Sequence, residues 1–237
     1  MIIDSDKLIE SIDKILTNKS VVNNLKLKNN PYYVLYEGYV FSLVLKAIDE
    51  LDVDFNILGE TSKSDFNEVI FRGSPGKMHS QSKDFTYVEF SLNEKKFELH
   101  LGVIYLGESE ALHEIDVSIY EKEKEIVTED FERNKIPTQE KLKAAIECKC
   151  YKNSLGVVLG RTFVGLVDDF NELKIKAFVS NSRSNSEKGK NGLIDYFSPK
   201  ERPNCFLEIS PYNKEKKERE FIDFIKNKLK GTGSESF

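Results

Sequence analysis

Three acidic side chains and one lysine could do chemistry together in this sequence. Glu147 and Lys149 sit in "AAIECKCY" (144–151), a run built like a buried strand. With side chains alternating at period two, Ala145, Glu147, Lys149 and Tyr151 share one face, while Ile146, Cys148 and Cys150 share the other. Such a carboxylate and ammonium are either an incidental ion pair or half of a site. Glu-x-Lys triplets occur four times, at Glu94, Glu147, Glu172 and Glu215, and only the second lies within a strand-like run. Context, not the triplet, singles it out.

Asp116 is a second acid in a β-branched strand. In "HEIDVSIY" (113–120), strict alternation puts His113, Ile115, Val117 and Ile119 on one face and Glu114, Asp116 and Ser118 on the other. The turn "GESE" predicts a hairpin with "FELHLGVIYLG", in a register that sets Gly102 opposite Asp116 and leaves open space above the carboxylate. Glu37 is the third acid, in the predicted helix "VLYEGYVFSLVLKAIDE". At 100° per residue from Glu37, the polar Ser42, Lys46, Asp49 and Glu50 fall between about 120° and 220°, whereas Val40, Phe41, Val44 and Ile48 flank Glu37 within about 60°. A carboxylate aimed at the core is costly unless it is paired, hydrogen-bonded or bound to a cation. A buried ion pair, a tyrosine hydrogen bond and a metal site all remain open to it.

The elements that must position these residues follow from periodicity. "DSDKLIESIDKILTN" reads as an accessory N-terminal helix (1–30). Residues 31–212 read as the main domain: the Glu37 helix, a short strand in "DFNILG", three or four β-rich runs through "ALHEIDVSIYE", the Glu147 strand, the helix "SLGVVLGRTFVGLVDDF", the strand "KIKAFVSN", a short helix at "LIDYF" and an edge strand at "NCFLEISPY". The lysine-rich "NKEKKEREFIDFIKNKLK" reads as an exposed terminal helix before a disordered tail (213–237). A meander followed by a βαβ crossover predicts an α/β (α+β) fold, with a central mixed sheet between helices.

Composition removes several classes. The 237 residues suit one domain, and 39% hydrophobic with 32% charged residues describe an ordinary globule. A net charge of −5 argues against a protein that coats nucleic acid through a basic surface, yet it is compatible with an acidic, metal-collecting nuclease site. Cys148, Cys150 and Cys205 have no C-x-x-C spacing, so neither a disulfide framework nor structural zinc is expected. "GSPGK" is not a Walker A loop, because Phe71 stands where its first glycine belongs and Met78 follows the lysine. H-E-x-x-H spacing is absent. "MIIDSDKLIE" lacks a basic leader and no apolar run would span a bilayer, so a cytoplasmic location without membrane contact is expected.

Helix with Glu37, strand with Asp116, strand with Glu147-Cys148-Lys149, then a helix and a strand: this order resembles the PD-(D/E)xK, or restriction-endonuclease-like, nuclease superfamily over roughly residues 34–180. Ile115 stands where the motif has proline. The resemblance implies a restriction-endonuclease-like core and a metal-dependent endonuclease acting on nucleic acid, DNA in preference to RNA, as in restriction or antiviral (anti-phage) defence. It implies Asp116, Glu147, Glu37 and the backbone carbonyl of Cys148 as ligands of Mg²⁺ or Mn²⁺, with Lys149 orienting the attacking water. Arg161, Arg72 and His100 are weaker candidates for nucleic-acid contact; an ion-pair stripe, an exposed turn and a structural hydrogen bond compete respectively. His113 is given a supporting role. A homodimer, a higher homo-oligomer or a partner protein subunit is the expected assembly, since no reading module is apparent. The rival function is a non-catalytic nucleic-acid-binding or assembly subunit that keeps the fold.

Overall fold

The run after Pro31 is apolar almost all the way round, and a helix of that kind belongs inside the molecule. In the computed structural model, which describes residues 5–17, 24–25, 30–59, 68–80, 84–122, 136–171, 173–184, 192–212 and 215–231, this run buries 13 of its 18 residues. The elements in chain order are α1 (Ser5–Thr17), β1 (Asn24–Leu25), α2 (Tyr32–Asp49), β2 (Phe55–Gly59), β3 (Glu68–Val69), β4 (Thr86–Leu92), β5 (Lys95–Leu106), β6 (Leu112–Lys122), β7 (Leu142–Lys149), α3 (Val157–Asp168), β8 (Ile175–Ser180), α4 (Gly192–Phe197), β9 (Asn204–Phe206) and α5 (Glu215–Lys230).

Seven strands form one mixed sheet in the order β2-β4-β5-β6-β7-β8-β9. The β2 to β7 pairings are antiparallel, and β7-β8 and β8-β9 are parallel, with α3 providing the crossover that a parallel pair requires. The fold is thus α+β, a seven-stranded mixed sheet flanked by helices. One face packs Val88, Leu99, Val117, Ile146 and Val179 against α1, α2 and α5. The other packs Val103, Tyr105, Ile115, Ala145 and Phe178 against α3 and α4.

Two expectations are corrected. α1 is not an appendage, because Leu8, Ile12 and Leu16 are buried in the same core as α2. Nor is α5 an exposed helix: its lysines and glutamates face outward, but Phe221, Ile222, Ile225 and Leu229 recur at helical spacing and are buried beside α2. The charge count of this segment hid a one-sided apolar stripe. Its polar side also meets α2, with Arg219 and Lys226 each 2.7 Å from Glu50. The expected tail, residues 232–237, lies outside the described residues.

The alternation expected for the Asp116 strand also fails at one point. Val117 and Ile119 pack into the α2-side core, whereas Ile115, of the same parity, packs into the other. β5 makes the same swap, with Leu99 and Leu101 on one side and Val103 and Tyr105 on the other. Between them lies Gly102, at φ 60°, a left-handed conformation that other residues adopt only with strain. The flanking pairs Leu101↔Val117 and Val103↔Ile115 put Gly102 opposite Asp116, as the hairpin register predicts. The space beside it is filled, however, since a Cβ built on Gly102 would meet Arg72 Cβ at 3.7 Å and Pro75 Cα at 3.9 Å. The loop at 70–80 lies across β5 there, Gly76 N–H donating to Gly102 O and Ile104 N–H to Gly76 O, each at 3.0 Å.

Among the described residues no helix is long and apolar enough to cross a membrane. Because Ile225 has no exposed surface, Ile225→Ala is expected to lower unfolding stability by about 2–5 kcal/mol in urea titration, as for a core residue. A change below about 0.5 kcal/mol, typical of surface positions, would show that α5 is peripheral.

Candidate functional site

The site begins where two strands part. The β6–β7 ladder runs from Tyr120↔Leu142 to Val117↔Ile146 and ends there, while the β7–β8 ladder continues to Lys149↔Ser180. A buried backbone N–H at such a parting needs another acceptor. Asp116 supplies it: Cys148 N–H donates to Asp116 Oδ2 at 2.7 Å. The same oxygen lies 3.7 Å from Lys149 Nζ, which also forms a close ion pair with Glu147. The ammonium therefore bridges both strand carboxylates, and Asp116 and Glu147 stand about one small volume. Cys148 itself belongs to the α2-side core, and burial pushes its thiol pKa well up.

Glu37 approaches from α2, and its neighbours are pinned on both sides. Tyr36 Oη donates to Ile209 O at 3.1 Å, and Tyr39 Oη hydrogen-bonds the Glu218 carboxylate. Gly38 lies so close to Phe71 that an added Cβ would fall 2.1 Å from its ring, so α2 sits against the 70–80 loop at a distance only glycine permits. Beyond Lys149 the chain is held to the end of β8: Ser180 Oγ donates to Lys149 O at 2.6 Å, Tyr151 N–H donates to Asn181 Oδ1 and Asn181 Nδ2 donates to Tyr151 O, both at 2.8 Å.

The electrostatics follow from crowding like charges where water is scarce. Burial pushes the Glu37 pKa up to about 8, with the charges of Asp116, Glu114 and Glu147 adding and Lys149 opposing. Glu147 is pushed up to about 7 by burial and by Asp116, again against Lys149. Burial also raises Asp116, although Lys149 and the Cys148 N–H pull it down, and it raises Glu114, helped by the Asp116 charge. Burial works against the Lys149 ammonium, but Asp116 and Glu147 outweigh it and push its pKa up. Four carboxylates thus share one ammonium. Hard oxygen donors held with an excess of negative charge suit Mg²⁺ or Mn²⁺ in chemical type. In spacing, the tightest ligand trio among the described residues is a different one, His79, Glu98 and His100; here Lys149 separates the oxygens.

Glu37, Asp116, Glu147 and Lys149 are therefore brought together, and the other candidates are placed elsewhere. Arg72 spends its guanidinium on the loop, stacking 3.3 Å over Phe85 and donating to Lys77 O and Met78 O. His100 is fully buried and turned toward Glu98. Arg161 is exposed on α3. His113 lies 2.6 Å from Asp169, linking β6 to the end of α3. A cavity of about 660 Å³ between α1, α2 and α5, lined by Lys14, Tyr39, Phe55 and Glu218, is separate from the carboxylates.

Neither Glu114 nor the Asn181 clamp was among the site residues expected from the sequence. Period two puts Glu114 on the Asp116 face in "HEID" without marking it as part of the site; Asn181 carries no local signal, because only the parallel ladder brings it to Tyr151. No family model and no curated protein matches the chain.

Glu37 and Glu147 ionise at higher pH in the folded chain than in the unfolded one. The stability contributed by their protonated forms is thus present at acidic pH and lost as pH rises through about 7 and 8. Chelator-treated protein is expected to melt at a lower temperature near pH 9 than near pH 6, and Glu37→Gln, which cannot ionise, should narrow that gap. Differential scanning calorimetry at both pH values decides; an unchanged gap in the variant would mean that burial and the neighbouring acids do not raise the Glu37 pKa in the folded chain.

Proposed function

We propose that this chain is a metal-dependent endonuclease with a restriction-endonuclease-like core, hydrolysing phosphodiester bonds of nucleic acid, DNA in preference to RNA. The observation that carries the reading is the meeting of Asp116, Glu147 and Lys149 at the parting of β6 and β7, with Glu37 reaching the same charges from α2. The order of elements around it, a helix, an antiparallel meander and a parallel crossover, is the order the superfamily resemblance implies.

Asp116, Glu147, Glu37 and the Cys148 backbone carbonyl would hold Mg²⁺ or Mn²⁺, which when bound lowers the pKa of a coordinated water and neutralises charge on the phosphate. The protein's own groups supply the rest. Cys148 N–H fixes the Asp116 carboxylate, so that oxygen is oriented before any ligand arrives. Lys149, held cationic by its two acidic neighbours, directs the attacking water and stabilises the negative charge that gathers on the phosphoryl oxygens. Overall, water oxygen forms a new bond to phosphorus, one ester P–O bond breaks, and the water's proton is passed on while the leaving oxygen takes one up.

Exposed aromatic surface favours a nucleic-acid substrate over a small phosphoester. Tyr32 and Tyr33 open the helix that carries Glu37, and Tyr151 follows Lys149 by two residues; they are 46%, 48% and 44% exposed. Such rings can stack on bases without reading sequence. A homodimer or a partner subunit supplying recognition, and a role in restriction or anti-phage defence in the cytoplasm, extend the same reading.

Cleavage of plasmid, single-stranded DNA and RNA in Mg²⁺ or Mn²⁺ tests it. Wild-type protein should cut and stop cutting with chelator, and Glu147→Ala and Lys149→Ala should each lose at least about 10²-fold in rate. Equal inertness of wild type and both variants, over all substrates and both metals, would leave a non-catalytic binding subunit as the reading.

A further inference from the structure

A second set of ligating atoms lies outside the carboxylate site. Glu98 and His100 alternate onto one face of β5, and His79 reaches them from the loop that crosses that strand. His79 Nε2 lies 2.9 Å and His100 Nε2 3.0 Å from the same oxygen, Glu98 Oε2. The three ligand atoms all fall within 4.8 Å of one another. Glu98 and His100 are 1% and 0% exposed, so two of the three donors are inside the protein.

The imidazoles are held by packing. The Tyr87 ring stacks on His100 at 5.1 Å and 12°, and meets His79 edge-on at 5.5 Å. Burial drives the His100 pKa down to about 4, against the pull of Glu98. Burial opposes ionisation of Glu98, but hydrogen bonds from His100 and His79 prevail and keep it a carboxylate. His100 Nδ1 is buried without a hydrogen-bond partner among the described residues. Nothing there commits the ring to the tautomer that keeps its proton on Nε2.

Two cations near the cluster have partners of their own. Lys122 Nζ lies 3.1 Å from Glu98 Oε1 and is shared with Glu89 at 2.7 Å. Arg72, whose charge reaches His100, is anchored to loop carbonyls and to Phe85.

We propose that His79, Glu98 and His100 bind a zinc-class dication, two imidazole nitrogens and one carboxylate oxygen leaving a fourth position for water. This donor set belongs to Zn²⁺ and its close relatives and not to Mg²⁺, which prefers oxygen alone. Binding replaces two N–H···O hydrogen bonds by metal–ligand bonds, and each Nε2 gives up its proton by the tautomeric shift that places it on Nδ1. The ion ties the 70–80 loop to β5, beside the Gly102 position that faces Asp116. Its role is to hold that loop, independently of whether the carboxylate site cleaves nucleic acid.

Zn²⁺ binding by the full chain, measured by competition with a chromophoric chelator, tests this, with Co²⁺ as a coloured substitute. The Asp116→Asn/Glu147→Gln protein serves as background, so that the carboxylate site is not the source of binding. One equivalent of Zn²⁺ and visible Co²⁺ bands of four-coordinate intensity are expected in both wild type and background. His79→Ala, at a partly exposed loop position that leaves the sheet intact, should weaken Zn²⁺ by more than about 10-fold, since even outer-shell partners cost that much. Glu98→Gln should do the same, and added Zn²⁺ should raise the melting temperature of wild type but not of His79→Ala. Absence of a Zn²⁺ equivalent in wild type, or equal affinity in wild type and His79→Ala, would overturn the proposal and leave a hydrogen-bonded triad. Loss of cleavage in Asp116→Asn/Glu147→Gln with Zn²⁺ binding kept would separate the two sites.

Discussion

One hydrogen bond, from Cys148 N–H to Asp116 Oδ2, sets the terms for the rest of the site. Sheet strands can separate inside a protein only if the backbone groups they abandon find other partners. Here the partner is a side chain of the departing strand, so the parting of β6 from β7 creates the gap and orients the acid that occupies it. Parallel pairing with β8 keeps β7 straight through Lys149. The carboxylate is thus held at the parting itself, largely buried.

Crowded acids are an electrostatic liability that the fold tolerates only through compensation. Raised pKa values on Glu37, Glu114, Asp116 and Glu147 all express the same cause: charge confined where water screens it poorly. A single lysine answers part of it. Rigid placement is needed to keep such groups from relaxing apart, and it comes from distant contacts: Gly38 against Phe71, Tyr36 on Ile209, and the Lys149–Tyr151 segment bonded to Ser180 and Asn181.

Much of this was legible in the sequence for simple geometric reasons. Period two divided Glu147 and Lys149 from Ile146 and Cys148, and period 3.6 put Glu37 on an unexpected side of its helix. The β5–β6 hairpin and the parallel β7–β8 crossover followed from the turn at "GESE" and from the helix between β7 and β8. What periodicity could not see was its own interruption: Gly102 adopts a left-handed φ, and both strands exchange faces around it. Composition misled at α5, where eleven charged or polar positions obscured Phe221, Ile222, Ile225 and Leu229. His79 was invisible as a partner of Glu98, because nineteen residues of chain separate them and only the folded loop closes that interval.

The contacts between α2 and α5 bear on the order in which the molecule can be finished during synthesis. Glu50 binds Arg219 and Lys226, and Tyr39 binds Glu218, so the helix bearing Glu37 takes its last neighbours from residues more than 160 positions later. On a ribosome, the strands carrying Asp116, Glu147 and Lys149 emerge well before α5 does. Until α5 clears the exit tunnel, one flank of α2 faces water. A nascent chain can therefore assemble the sheet early, yet completes the surroundings of α2 only after α5 has been made.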